Sequence, residues 1–101
     1  MSKSPKIVEF FDKLNHPEGT NATITCAIGS GDLDDLRFQW FKENKVIEQS
    51  AKLRVSVLPE NYNSILRIIN LSTDDSATYS CVAKNQFGQD KMSTKLFVKG
   101  Q

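Results

Sequence analysis

Apolar and polar residues alternate along most of this chain with a period of two, the pattern of β-strands that bury one face. In the clearest example Ala22, Ile24, Cys26 and Ile28 share one side of a segment whose other side is mostly threonine. The pattern predicts strands at 5–11, 22–28, 36–41, 46–47, 54–58, 64–69, 79–83 and 93–99. Turns are predicted at 16–19 and at 85–88, where Gly88 is available for a positive φ. These elements predict an all-β protein.

Four residues on these strands occupy the positions that hold one kind of sandwich together. Cys26, Trp40, Tyr79 and Cys81 follow one another in that order, and Asp75 lies four residues before Tyr79. This order resembles the immunoglobulin sandwich, in which the tyrosine hydroxyl turns back onto the preceding loop and the tryptophan packs on a disulfide. We therefore expect an immunoglobulin-like antiparallel Greek-key sandwich of two sheets, with Trp40 and Tyr79 in its core.

Alternation also assigns the two sides of the strands at 54–58 and 64–69. The core side takes Val55, Val57, Leu66 and Ile68. Arg54 lies at the place from which an arginine can reach the aspartate before the tyrosine corner, so we predict a salt bridge from Arg54 to Asp75. The adjacent Asp74 and Asp75 are interpreted as structural, because neighbouring carboxylates on a turn diverge and do not share a proton.

Length and composition limit the chain to one ordinary globular domain. It has 101 residues, 39% hydrophobic and 25% charged, with a formal net charge of +1. This balance does not call for nucleic acid or a membrane surface as a partner. We interpret residues 1–4 as linker, 5–99 as a single domain and 100–101 as the start of a linker to a following domain. Since no apolar leader or spanning run is found, we expect one module of a longer extracellular, plasma-membrane protein.

The two cysteines, Cys26 and Cys81, both fall on inward strand positions. This favours one buried disulfide and an oxidising compartment. The alternative is two reduced, buried thiols, as in intracellular members of the same fold class.

The sequence offers no catalytic or metal-binding constellation. His16 is the only histidine and has no ligand partners at metal-binding spacing, so it is interpreted as a surface turn residue. The run 29–35 places three aspartates beside glycines, but it lacks the late glutamate that closes a calcium loop. We therefore expect no enzymatic activity, no cofactor, no metal, no small-molecule substrate and no nucleic acid.

Two Asn-X-Ser/Thr sequons are present, at Asn21 and at Asn70. Both asparagines fall at outward or loop positions, where a glycan is accommodated. Asn21 and Asn70 are therefore glycosylation candidates, and we predict a glycan on at least one of them.

Several motifs resemble the I-set subgroup of immunoglobulin domains over nearly the whole chain. They are Gly19, Cys26, Trp40, the spacing from Leu66 to Leu71, the run 75–81 and the run 83–88. A narrower similarity, carried by Pro5-Lys6-Ile7 with Phe10 and by Gly31-Asp32-Leu33, is to Dscam-family (Down syndrome cell adhesion molecule) domains of arthropods, including the shortened Dscams of chelicerates. In that family proline usually follows the glycine-aspartate-leucine, whereas Asp34 stands here. The resemblance implies a cell-surface adhesion receptor whose variable domains bind identical copies in antiparallel pairs.

A self-pairing contact with two-fold symmetry needs a patch that complements itself in charge and shape. The solvent face of the sheet formed by the predicted strands at 5–11, 22–28, 64–69 and 54–58 has few acids and an exposed apolar patch. We predict it as a homophilic interface formed by Thr23, Thr25, Ala27, Ser56, Leu58, Ile65, Arg67 and Ile69. The opposite sheet ranks second, with Gln39, Phe41, Val82, Lys84, Lys95 and Phe97 pointing outward.

Two further hypotheses compete with homophilic adhesion. A heterophilic receptor domain would bind another protein through loops such as 32–35 or 85–88. An intracellular structural module of the muscle-filament type would carry reduced cysteines and unglycosylated sequons. In every case the partner is a protein, with neighbouring immunoglobulin domains in the full chain.

Overall fold

The computed structural model describes residues 3–10, 12–58 and 63–100, which form a sandwich of two β-sheets. The strands are β1 (Lys6–Ile7), β2 (Lys13–Pro17), β3 (Ala22–Ser30), β4 (Arg37–Lys42), β5 (Lys45–Val46), β6 (Leu53–Val57), β7 (Asn63–Ile68), β8 (Ala77–Asn85) and β9 (Gly88–Lys99), with a 3₁₀ turn at Thr73–Asp75. The first sheet has the order β1-β3-β7-β6, and the second has β2-β9-β8-β4-β5. The expected all-β sandwich is confirmed.

The first predicted strand, 5–11, is wrong in its extent, because within its described residues only Lys6–Ile7 are a strand, and a separate strand, β2, follows in the other sheet. β1 pairs antiparallel with β3 in the first sheet, whereas β2 pairs parallel with β9 in the second. His16, expected in a turn, lies inside β2 beside Val98. The Ile7 N–H donates to Asp90 Oδ2 at 2.8 Å, a bond that holds the end of β1 against β9. Phe11, assigned to the same predicted strand, lies outside the described residues.

The core is built where the two sheets meet across the Cys26–Cys81 disulfide. Leu66 and Tyr79 are fully buried, and Trp40 is 3% exposed. The Trp40 indole N–H crosses to the opposite sheet and donates to Ser64 Oγ at 2.9 Å. Ser64 is itself buried and donates to the Ser56 carbonyl. The serine therefore allows a polar indole edge to lie in the interior without an unsatisfied donor.

Two smaller predictions about strand faces and turns are wrong. Val57, assigned to the core, is 50% exposed and is the last residue of the edge strand β6. Gly88 does not adopt a positive φ. It is needed for a close approach instead, since a Cβ at this position would lie 2.8 Å from the Ser4 Cβ.

The tyrosine corner forms as the sequence indicated. The Tyr79 hydroxyl donates to the Asp75 carbonyl at 2.7 Å. The Asp75 carboxylate accepts the Ser72 N–H at 2.8 Å and so closes the 3₁₀ turn that precedes β8. Burial raises the pKa of the Tyr79 hydroxyl well above its ordinary value, and the negative charges of Asp75 and Glu43 raise it further.

The predicted salt bridge from Arg54 to Asp75 is not formed. Lys52 takes that place, with its Nζ 2.9 Å from Asp75 Oδ2. The same ammonium group donates to the carbonyls of Ile69 and Asn70. Arg54 lies on the outward side of β6, where its Nε donates to the Ala51 carbonyl. Alternation therefore directs Arg54 away from Asp75, whereas Lys52 precedes the strand and reaches the buried carboxylate.

Replacement of Lys52 by methionine is expected to destabilise the domain by about 1–2 kcal/mol, since it leaves the buried Asp75 carboxylate without its cation, and partial exposure of Lys52 limits the loss. Replacement of Arg54 by methionine is the matched control, with an expected change below about 0.5 kcal/mol. Urea denaturation of the oxidised domain measures both. Equal losses in the two variants would contradict the assignment of Lys52 as the partner.

Replacement of Tyr79 by phenylalanine is expected to cost about 1–2 kcal/mol at neutral pH, since it removes the hydroxyl bond to Asp75. The wild-type advantage should shrink as pH rises above about 10, the ordinary tyrosine pKa. The sign follows because the unfolded chain loses the phenolic proton there, while the folded state, with its raised pKa, retains it. Chemical denaturation of both proteins from neutral to alkaline pH tests this, and a constant difference across that range would refute it.

Candidate recognition faces

The outer side of the first sheet carries the residues predicted as an interface. Register places Thr23 beside Arg67 and Arg67 beside Arg54 in one row across β3, β7 and β6. The next row joins Thr25, Ile65 and Ser56. The structure exposes Thr23, Thr25, Ser56, Leu58 and Arg67 and half-buries Ala27, Ile65 and Ile69. All eight residues are therefore accessible to solvent to some degree, and the strand register places most of them side by side.

The chemistry of this first face is apolar and basic. The strands β1, β3, β6 and β7 contain no aspartate or glutamate. Val8 and Leu58 lie at its margins, 52% and 36% exposed. Arg54 and Arg67 are direct cross-strand neighbours, a like-charge arrangement that is unfavourable in the isolated sheet. This surface offers apolar contact area and two guanidinium groups that form no ion pair with the described residues.

The outer side of the second sheet is more strongly basic. Its outward cations are Lys13, Arg37, Lys84, Lys91, Lys95 and Lys99. An open groove of about 510 Å³ crosses one end of it, between Arg37, Phe41, Val82 and Lys84. Phe97 lies towards the other end and is 49% exposed. This second face combines positive charge with isolated aromatic side chains.

The two sequon asparagines are neighbours in space. Asn21 and Asn70 are both exposed, and the Asn70 N–H donates to Asn21 Oδ1 at 2.9 Å. Asn70 adopts a left-handed conformation with a φ of 52°, which asparagine tolerates well. Both lie at one end of the first face, about 13 Å along β3 from the row of Thr25. Their position leaves the centre of that face free.

Sequence reasoning missed a buried asparagine that fastens one end of the domain. Asn85 is 1% exposed, and its Nδ2 donates to the carbonyls of Lys3 and Asp32. Its Oδ1 accepts the N–H groups of Phe87 and Gly88. One side chain therefore joins the N-terminal segment, the loop after β3 and the β8–β9 hairpin. The sequence did offer a signal for it, because Asn85 is a polar residue at an inward position of the alternating strand that contains Tyr79 and Cys81.

Close backbone approach at the same end explains two of the motifs noted in the sequence. Gly31 has a φ of 110°, and a Cβ there would lie 2.5 Å from the Ser4 carbonyl oxygen. Pro5 packs against it and is buried. The proline motif and the Gly31-Asp32 motif are therefore parts of a single contact.

The described residues show no metal centre and no membrane-spanning helix. Within 3–10, 12–58 and 63–100, no group of three or more His, Cys, Asp or Glu side chains is arranged to hold an ion. No helix in that part of the chain is long and apolar enough to cross a bilayer. The candidate sites are thus the two sheet faces and the loops at the ends of the sandwich.

Comparison with known proteins identifies the family. The family model of the immunoglobulin I-set domain matches residues 5–98. The chain is 32% identical over 95 residues to the cell adhesion molecule Dscam2 of Drosophila melanogaster, covering 94% of this chain and 4% of that protein. It is 25% identical over 100 residues to myopalladin of Mus musculus, covering 99% of this chain and 7% of that protein.

Solved structures give the same result. The I-band fragment I67-I69 from titin superposes with a TM-score of 0.85 at 28% identity, over 96% of this chain and 33% of that one. The chain spans only a small part of the length of these relatives, so the similarity concerns a single domain. Domains of this family are typically structural or binding modules. The chain belongs to the immunoglobulin I-set family.

Proposed function

We propose that this domain is an extracellular recognition module of a cell-adhesion receptor and that it binds a second copy of itself in an antiparallel pair. The contact uses the outer face of β1, β3, β7 and β6. The observation that carries the proposal is the partly apolar composition of these four strands, which contain no aspartate or glutamate. The similarity to Dscam2, whose name describes a cell adhesion molecule, supports the same class of function.

The strand register supplies a two-fold arrangement in which this face complements itself. An axis across the row of Thr25, Ile65 and Ser56 brings Ile65 against Ile65 of the second copy. The row two residues to one side of the axis, about 6.6 Å along the strand, then faces the row two residues to the other side in the second copy. Arg67 of one copy faces Asn63 of the other, so that a guanidinium meets an amide acceptor. The two arginine rows are held apart, and no like charges meet.

The second face is less suited to self-pairing. Its outward cations have no acidic counterpart on the strands of the same face, since the one acidic residue there, Asp90, turns inward to the Ile7 N–H. Two copies brought together through this face would concentrate positive charge, which opposes association. The first face is therefore the better candidate.

One sheet of a single domain provides a small contact, and little free energy remains after association entropy. We expect weak pairing of the isolated domain. Several such domains on apposed membranes would raise the avidity without new contacts.

The disulfide and the two sequons support the extracellular assignment. Cys26 and Cys81 are bonded in the structure, and persistent disulfides are typical of oxidising compartments. Asn21 and Asn70 are exposed and are proposed to carry glycans. A second candidate function, an intracellular structural module, is favoured by the similarity to myopalladin and to the titin fragment.

Replacement of Ile65 by lysine is expected to weaken self-association more than about tenfold, because it sets two like charges against each other on the symmetry axis. Replacement of the half-buried Val82 by lysine on the second face is the matched control and should leave the dimer unchanged. Sedimentation of the oxidised domain from about 1 μM to several hundred μM measures both.

A compensating pair sharpens this test. Arg67→Glu alone should weaken the dimer, and Arg67→Glu with Asn63→Lys should restore it, because the new charges face each other across the axis. Wild-type protein that stays monomeric throughout, or a dimer abolished by Val82→Lys and not by Ile65→Lys, would refute this interface.

Protein secreted from eukaryotic cells is expected to lack free thiols and to lose mass on treatment with an N-glycosidase. Intact mass spectrometry under non-reducing conditions checks both, with Asn21→Gln and Asn70→Gln variants assigning the glycan. Free thiols together with unmodified sequons would favour the intracellular structural module over the extracellular adhesion module.

A further inference from the structure

Charged residues are unevenly distributed between the strands and the connections. Of the nine strands in the described residues, every strand except β3 contains a lysine or an arginine. The only acidic residue in these strands is Asp90. The other acids of the described residues lie in turns and loops. A chain of nearly neutral net charge therefore presents strongly basic sheet surfaces.

The cations of the second face form a linear track. Lys91, Lys95 and Lys99 point outward from β9 at intervals of four residues, about 13 Å each, so the track is about 27 Å long. Lys13 lies beside Lys95 on the adjacent β2. Lys84, on β8, extends the positive charge at the hairpin end.

The side chains of this track have no acidic partner among the described residues. The ion pairs found there are Lys52 with Asp75 and Arg37 with Asp35, and the second is an exposed contact at 3.7 Å. Glu43, which lines the same shallow groove as Lys95, directs its carboxylate to the Thr78 N–H at 2.8 Å. Asp90 is likewise occupied by backbone N–H groups. The lysines are thus free to bind an external anion.

An exposed aromatic ring interrupts the track. Phe97 lies between Lys95 and Lys99 on the same side of β9, and Asn15 is its cross-strand neighbour. The ring and the amide add a stacking surface and a hydrogen-bonding group between two positive charges. This combination suits a polymer whose anionic groups alternate with sugar rings, because the C–H face of a sugar ring packs on an aromatic ring.

We propose that the outer face of β2, β9 and β8 binds a linear sulfated polysaccharide. Lysine provides compact point charges on flexible stems, which match repeated sulfates better than they match a shaped anion. The face lacks the apolar wedge that a membrane contact needs, because Phe97 is a single ring within a hydrophilic sheet surface. The choice of a polysaccharide rests on the extracellular placement proposed above, whereas the surface itself is distinct from the self-pairing face.

Heparin is the probe, with binding measured by titration calorimetry near physiological ionic strength and again at higher salt. The variant Lys91→Gln/Lys95→Gln/Lys99→Gln should bind about tenfold more weakly, since three exposed charge contacts are removed, and its affinity should depend less steeply on salt. The control Lys6→Gln/Arg54→Gln/Arg67→Gln has the same net charge but alters the opposite face, and it should bind heparin like the wild type. Phe97→Ala should weaken binding without changing the salt dependence.

The outcomes separate this proposal from self-pairing. The β9 variant should still dimerise, and the control variant should bind heparin whatever happens to its dimer. Equal losses in both triple variants would mean that only net charge matters and would overturn the site. Binding to phosphatidylserine vesicles or to polyglutamate with no binding to heparin would replace it with a membrane or acidic-protein surface.

Discussion

The link between the two sheets through Cys26 and Cys81 is the constraint on which the rest of the structure depends. It joins β3 to β8 at the centre of each sheet, and Trp40 packs beside it and bonds across to Ser64. A covalent bond of this sequence separation restricts the unfolded chain as well as the folded one. With the centre fixed in this way, the outer faces of the sheets lie outside the buried core.

Three acids of this domain complete backbone hydrogen bonds. Asp75 accepts the Ser72 N–H, Asp90 accepts the Ile7 N–H, and Glu43 accepts the Thr78 N–H. Ile7 and Thr78 lie near strand ends and Ser72 begins the 3₁₀ turn, so each carboxylate supplies an acceptor where the regular sheet ladder has none. Among the described residues, Arg37 is the one strand cation with a carboxylate within ion-pair distance. The sheet faces therefore keep most of their positive charge.

One end of the sandwich is held by a network that also orders the N-terminal segment. Asn85 joins Lys3, Asp32 and the β8–β9 hairpin, and glycines at positions 31 and 88 allow Ser4 and Pro5 to approach. The segment that leads into β1 is thereby fixed against two loops. A domain preceding this one in a longer chain would be oriented from this end. The two sheet faces point away from it and stay accessible.

The sequence by itself determined the sandwich, its core and its corner. A period of two marks the buried side of each regular strand, and Cys26, Trp40, Tyr79 and Cys81 lie on those sides because burial and alternation are local properties of the chain. Only the tertiary structure decided that the first strand is as short as β1, that β2 follows it in the other sheet, and that Lys52, not Arg54, pairs with Asp75. It also revealed Ser64 and Asn85 as buried polar partners. These features depend on which distant groups meet, and alternation along one strand carries no information about the partner across the core.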